Sequence, residues 1–146
     1  MRFYGAVYLV LLEGERVLLL RRANTGFEDG NYSLIAGHVE VGESAMAAMI
    51  REAREEAGIT LAVDELQYAH TQHRRSAAGR IYFDLYFIAR HWDGEPTNVE
   101  PAKCDDMRWF ALTDLPPNMT PFVRLVLAEH LPRGSAYSEW GWAQPG

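Results

Sequence analysis

The stretch from Gly37 to Ile59, GHVEVGESAMAAMIREAREEAGI, restricts the possible folds more than any other. A short acidic loop bracketed by Gly37 and Gly42 leads into a helix from Glu43 or Ser44 to Ala57, and Gly58 supplies the expected stop. On a wheel advancing about 100° per residue from Glu52, Glu56 falls near 40° and Glu55 near −60°. The small Ala45 and Ala48 share that arc, while Met46, Ile50, Ala53 and Ala57 cluster between about 100° and 160° as a core stripe. Arg51, Arg54 and Ala47 fill the remaining side.

Around this helix the chain reads mainly as strands. Phe3 to Leu12 and Val17 to Arg21 are apolar runs joined by Glu13-Gly14-Glu15, a β-hairpin pattern. Asn24 to Asn31 is turn chemistry, and Tyr32 to Ala36 is a short strand entering Gly37. Further strands are expected around Leu66–His73, at Ile81 to Ala89 and at Met107 to Leu112. Trp92 to Asp106 is a long acidic loop, and loops of that length are often functional. Thr120 to Leu131 reads as a second helix with Thr120 as N-cap and Pro121 at its first position. The tail from residue 132 to 146 is either frayed or docked through Trp140 and Trp142. With no linker to divide it, the chain reads as one α/β domain, residues 1–146, a mixed sheet with helices on its faces.

Glu52, Glu55 and Glu56 repel one another on one arc, at roughly 0.2–0.5 kcal/mol per i,i+4 pair of like charges. Glu55 and Glu56 also sit near the helix C-terminus, where the macrodipole disfavours negative charge. Two readings follow. The cluster is a solvated face, with Arg51 formally paired to Glu55, or it holds a hard cation that accepts carboxylate oxygens. The acidic loop ahead of the helix favours the second, with Gly37 placed to add a backbone carbonyl and Glu43 to support the turn.

The spacing of Gly37, Glu43, Arg51-Glu52, Glu55-Glu56, Gly58 and Ile59 resembles the Nudix box, G-x5-E-x7-R-E-U-x-E-E-x-G-U, with U a bulky aliphatic. Only Ala53 departs, being small where the pattern has a larger aliphatic. The resemblance implies an α/β/α sandwich with a mixed β-sheet, and Mg²⁺- or Mn²⁺-dependent hydrolysis of a nucleoside diphosphate linked to another group. It implies Glu56 as principal metal ligand, with Glu52 and Glu55 beside it and the Gly37 carbonyl added. Glu52 is alternatively the base, oriented by Arg51. A further acid is expected from the late loop, with Asp106 the first candidate and Asp105 and Glu100 its alternatives. Nucleoside triphosphates, standard or modified, lead the substrate classes. ADP-ribose, dinucleoside polyphosphates and a non-hydrolysing nucleotide sensor are the alternatives.

Four residues outside the box are candidates for substrate contact. Arg22 closes the second strand, and Phe27 sits in the turn before the box. His70 precedes Arg74-Arg75, and Asp84 is the lone acid of an apolar strand, either buried and bonded or facing a nucleotide. His70 and His73 lie on opposite strand faces and do not form a joint metal site. The net charge of −6 argues against general attraction to nucleic acid or anionic membrane. One cysteine, Cys104, excludes an internal disulfide and suits a reducing cytoplasm. The N-terminal apolar run is interrupted by Glu13, Glu15 and Arg16 and reads as a core strand, not a signal or membrane span. A monomer or a homodimer is expected.

Overall fold

The computed structural model describes residues 2–143; Met1 and the last residues of the tail, 144–146, lie outside them. Its organising strand is β1, Phe3–Glu13, whose residues from Ala6 to Leu12 are all buried. Side chains alternate across a strand, so this run feeds two cores. Val7, Leu9 and Leu11 point to one face, and Ala6, Tyr8, Val10 and Leu12 to the other. A strand covered on both sides has no polar alternation, which explains the unbroken apolar run.

The first face is covered by α1, Ala45–Ala57, through Ala48, Met49, Ala53 and Ala57. The second is covered by Pro121–Leu125, α2, through Phe122 and Val123, and by the turn that continues it. This is an α/β/α sandwich with a mixed sheet. β1 runs parallel to β6, Ile81–Ala89, along one edge. Along its other edge it pairs antiparallel with β4, Ile35–His38, and at Leu12 and Glu13 with β2, Arg16–Arg22. β2 continues away from β1 to pair with β3, Tyr32–Ser33, and with β7, Cys104–Ala111. On the far side, β5, Gln67–Arg75, pairs antiparallel with β6.

The hairpin, the strand Ile81–Ala89 and the helix ending at Gly58 match the expectation. Gly58 adopts the left-handed conformation at φ 68° and donates its N–H to the Arg54 carbonyl. Three details differ. The buried arc of α1 includes fully buried Met49 and Ala48, whereas Met46 and Ile50 are only partly buried. The helix is thus rolled so that Glu52 and Glu56 border its packed side. The second helix is α-helical only over Pro121–Leu125, and Val126–His130 widens into a π turn closed by Leu131 N–H to the Val126 carbonyl. Thr120 occupies the N-cap position without a side-chain capping bond, and its hydroxyl is buried without a partner among the described residues.

The tail is docked. Tyr137–Trp140 forms β8, parallel to β5, and the Trp142 indole N–H donates to the His73 carbonyl at 3.0 Å. His70 belongs to this seam and not to a ligand site. It is fully buried, with Nδ1 2.7 Å from the Ser135 carbonyl and Nε2 2.7 Å from the Ser138 hydroxyl. A carbonyl can only accept, so Nδ1 carries the proton and Nε2 accepts from Ser138.

Asp84 is also buried and bonded. Its carboxylate takes two bonds from Arg74, at 2.6 Å from Nε and 3.3 Å from Nη2. Arg74 is 4% exposed and Asp84 0%. Deleting one partner of such a pair strands the other charge. Asp84→Ala is therefore expected to lower the unfolding free energy by about 3–5 kcal/mol. Urea denaturation followed by tryptophan fluorescence measures it, and a loss below about 1 kcal/mol would contradict a structural role for the pair.

Candidate active site

The site is built where α1 crosses β4. Glu56 Oε2 accepts the Ala36 backbone N–H at 3.0 Å, which ties the last turn of the helix to the strand. One turn earlier, the Glu52 carboxylate rests on Gly37. A Cβ at residue 37 would lie 2.2 Å from both Cδ and Oε1 of Glu52, so only glycine admits this approach. The two carboxylates are thereby held on the inner border of the helix, half-buried, while Glu55 is exposed.

Arg51 organises the acids. Its Nε donates to Glu43 at 2.8 Å, Nη1 donates to Glu52 at 2.8 Å and Glu55 at 3.2 Å, and Nη2 donates to the His38 carbonyl at 3.1 Å. Glu43 also accepts the Glu40 N–H, which closes the acidic turn, and Ser44 caps the helix by accepting the Ala47 N–H. The Glu43 carboxyl is held below its usual range, first by the Arg51 hydrogen bond and then by the Glu40 amide.

The long loop brings Glu100 to the cleft, and not Asp106. Thr97 N–H donates to the Ala57 carbonyl at 2.9 Å, which docks the long loop on the C-terminal end of α1. Lys103 and Cys104 N–H groups then fold it back onto the Glu100 carbonyl. Glu100 and Lys103 line the same cleft as Glu52, Glu55 and Glu56. Asp106 is engaged elsewhere, accepting from the Tyr32 hydroxyl and from Arg108, and Asp105 pairs with Arg21 at 2.6 Å. Neither aspartate lines the cleft.

The cleft has a volume of about 800 Å³, within the usual range of small-molecule sites. Arg22 and Phe27 both line it, and Arg22 Nε donates to the Phe27 carbonyl at 2.7 Å. The preceding turn is shaped by Asp29, which accepts from the Thr25 and Gly26 amides. His70 and Asp84 do not line the cleft, but Arg74 does. Arg74 escaped the sequence reading, which ended the strand at His73; in the structure β5 runs on to Arg75 and sets Arg74 beside the lone acid Asp84. Lys103 escaped it too, hidden in a loop whose acids drew attention.

Burial governs the electrostatics. It raises the Glu56 carboxyl to about 8, opposed by the Ala36 amide and reinforced by the charges of Glu52 and Glu100. It raises Glu52 as well, against the pull of Arg51. Carboxyl groups gathered this closely supply the oxygen ligands that a hard cation takes. Among the described residues, no three His, Cys, Asp or Glu side chains are gathered to hold a metal by themselves. A Mg²⁺-type ion needs only one or two carboxylates and completes its shell with water and phosphate oxygens. Glu52, Glu56 and Glu100 meet that requirement.

Comparison with known proteins bears on most of the chain. Residues 2–130 match the NUDIX domain family model. The chain is 34% identical over 116 residues to the NAD-capped RNA hydrolase NudC of Pseudomonas entomophila, covering 80% of this chain and 39% of that protein. It thus spans about two fifths of that relative's length. It is 30% identical to the isopentenyl-diphosphate Delta-isomerase of Cereibacter sphaeroides over 139 residues, covering 88% of this chain and 78% of that one. The crystal structure of a MutT NUDIX hydrolase from Burkholderia pseudomallei superposes with a TM-score of 0.80 at 29% identity, covering 87% of this chain and 97% of that one.

The raised Glu56 carboxyl has a measurable consequence. In the unfolded chain it ionises near its ordinary 4.5, whereas in the fold it keeps its proton to about 8. The folded state therefore binds more protons between those values, and stability falls as pH rises through them. Without divalent cations, wild-type unfolding free energy is expected to drop from pH 5 to pH 8, and Glu56→Gln to lack that component. Urea titrations at several pH values in chelator compare them; identical slopes would contradict the raised carboxyl.

Proposed function

The chain belongs to the NUDIX family, and on that premise we propose that it is a divalent-cation-dependent pyrophosphohydrolase acting on a nucleoside diphosphate linked to another group. A nucleoside triphosphate, released as monophosphate and pyrophosphate, is the leading substrate class. One observation carries the reading. Five acids, Glu40, Glu52, Glu55, Glu56 and Glu100, line one cleft with the cationic Arg22 and Lys103. That combination suits a polyphosphate: carboxylates for cations, and basic groups for the remaining phosphate oxygens.

When bound, Mg²⁺ or Mn²⁺ would neutralise the diphosphate and acidify a bound water. Glu56, Glu52, Glu55, Glu100 and the Gly37 carbonyl would hold it. Glu52 is also the candidate base, taking a proton from the attacking water as oxygen bonds to phosphorus and the bridging P–O bond breaks. Arg51 positions Glu52 and Glu55 by hydrogen bonding. Arg22, half-buried beside Phe27, is placed to hold a phosphate oxygen. Asp106, expected beside the cation, has no part in this arrangement.

A small-molecule substrate goes with a bounded cleft and an acidic chain. No helix among the described residues is long and apolar enough to cross a membrane. The single cysteine, buried Cys104, accords with a cytoplasmic setting.

The test is product release from nucleoside triphosphates, ADP-ribose, dinucleoside polyphosphates, NAD and isopentenyl diphosphate, with Mg²⁺, with Mn²⁺ and with chelator. Cation-dependent release of a monophosphate is expected from at least one nucleotide. Glu52→Gln, Glu56→Gln and Gly37→Ala should each lower turnover about 10²-fold or more, the range of a lost acid–base or electrostatic group, with circular dichroism unchanged. Asp106→Asn should lower it far less than Glu100→Gln. Cleavage of nothing in the panel would replace the hydrolase with a nucleotide sensor.

A further inference from the structure

The end of the cleft at Arg74 is built for something other than phosphate. The Arg74 guanidinium is clamped flat, with Cζ 4.1 Å from the ring centroids of both Tyr82 and Phe122. Asp84 occupies one of its two hydrogen-bonding edges, through Nε and Nη2. A guanidinium carries five N–H donors, so the edge formed by Nη1 and the second Nη2 hydrogen remains. Nη1 has no protein partner among the described residues, yet it is not one of the buried polar atoms sealed without one. Arg74 lines the cleft.

Three properties of this edge identify its ligand. Its charge is already balanced by the Asp84 carboxylate, which removes most of the attraction for a second anion. Its plane is fixed by the two rings, which demands acceptors lying in that plane. Its two hydrogens are parallel, which demands two adjacent acceptors. Phe27 adds aromatic surface, 45% exposed and with its ring 6.5 Å from that of Phe122.

We propose that the free edge of Arg74, held by Asp84 between Tyr82 and Phe122, reads the O6 and N7 acceptors of a 6-oxopurine nucleotide. Among the bases, a guanidinium fork matches the O6/N7 pair of guanine, and hypoxanthine carries the same pair. Adenine presents a donor at N6 and fails to match. A base oxidised at C8 to the oxo form carries hydrogen on N7 and is refused for the same reason. That the ligand is a nucleotide rests on the pyrophosphohydrolase reading, whereas the choice of base edge rests on Arg74 itself.

The test uses monophosphates, which have no pyrophosphate bond and bind without being cleaved. Calorimetric titration of the full chain with GMP, IMP, AMP and 7-deaza-GMP gives four dissociation constants. GMP and IMP are expected to agree within about threefold, and AMP and 7-deaza-GMP to bind at least about tenfold more weakly, the usual discrimination of one bidentate contact. Arg74→Lys keeps a cation opposite Asp84 but loses the fork, and should weaken GMP while leaving AMP unchanged. If that variant does not fold, the four wild-type constants decide. Equal binding of GMP and 7-deaza-GMP, weak IMP, or no saturable GMP binding each overturns the proposal. None of these constants depends on turnover, so a failed hydrolase reading appears separately, as intact base preference without cleavage.

Discussion

The contact between the Glu52 carboxylate and the bare backbone of Gly37 sets the geometry of everything around it. A carboxylate does not ordinarily border the packed side of a helix, because losing water costs it more than neighbouring apolar contacts return. Here the absent Cβ at Gly37 admits Glu52, and the Ala36 amide receives Glu56. The helix is consequently rolled toward β4, with Met49 and Ala48 buried beneath it. The result puts a carboxyl where ionisation is costly, so that Glu56 holds its proton to about 8. A fold does not retain such a group for stability, whereas a cation and a polyphosphate would relieve it.

Arg51 makes that charge tolerable. Exposed ion pairs contribute little, but this side chain is largely covered and engages Glu43, Glu52 and Glu55 together with the His38 carbonyl. One guanidinium joins the acidic turn, the helix and β4, so the turn cannot drift without disturbing Glu52. The adjacency of arginine and glutamate in the sequence has a geometric purpose here, since Nη1 bridges Glu52 and Glu55 from one side.

Stability and recognition are divided along the sheet. Near α1 the cleft is acidic and under-compensated. Near the β5–β6 hairpin it is lined by Arg74, whose charge the buried Asp84 balances from behind, and by Tyr82. The tail reinforces that second wall: β8 pairs with β5, Trp142 reaches the His73 carbonyl and His70 is sealed by Ser135 and Ser138. A histidine with both ring nitrogens engaged by protein is part of the scaffold.

What the sequence determined alone is what local forces determine. The bounds of α1 follow from Ser44 capping one end and left-handed Gly58 closing the other. The two-sided burial of β1 is written in its uninterrupted apolar run, and the loop–helix acids are legible from spacing because 3.6 residues per turn places them on one arc. Tertiary structure decided the rest. Nothing local distinguishes Glu100 from Asp105 or Asp106; the docking of Thr97 on the Ala57 carbonyl selects one, and Tyr32 and Arg21 claim the others. His70 stood as a candidate for substrate contact until Ser135 and Ser138, distant in the chain, satisfied it, and Asp84, open between a buried pair and a nucleotide contact, was settled by Arg74. Hydrogen-bond partners are allotted by three-dimensional proximity, and a buried polar group takes whichever partner the fold brings within about 3 Å.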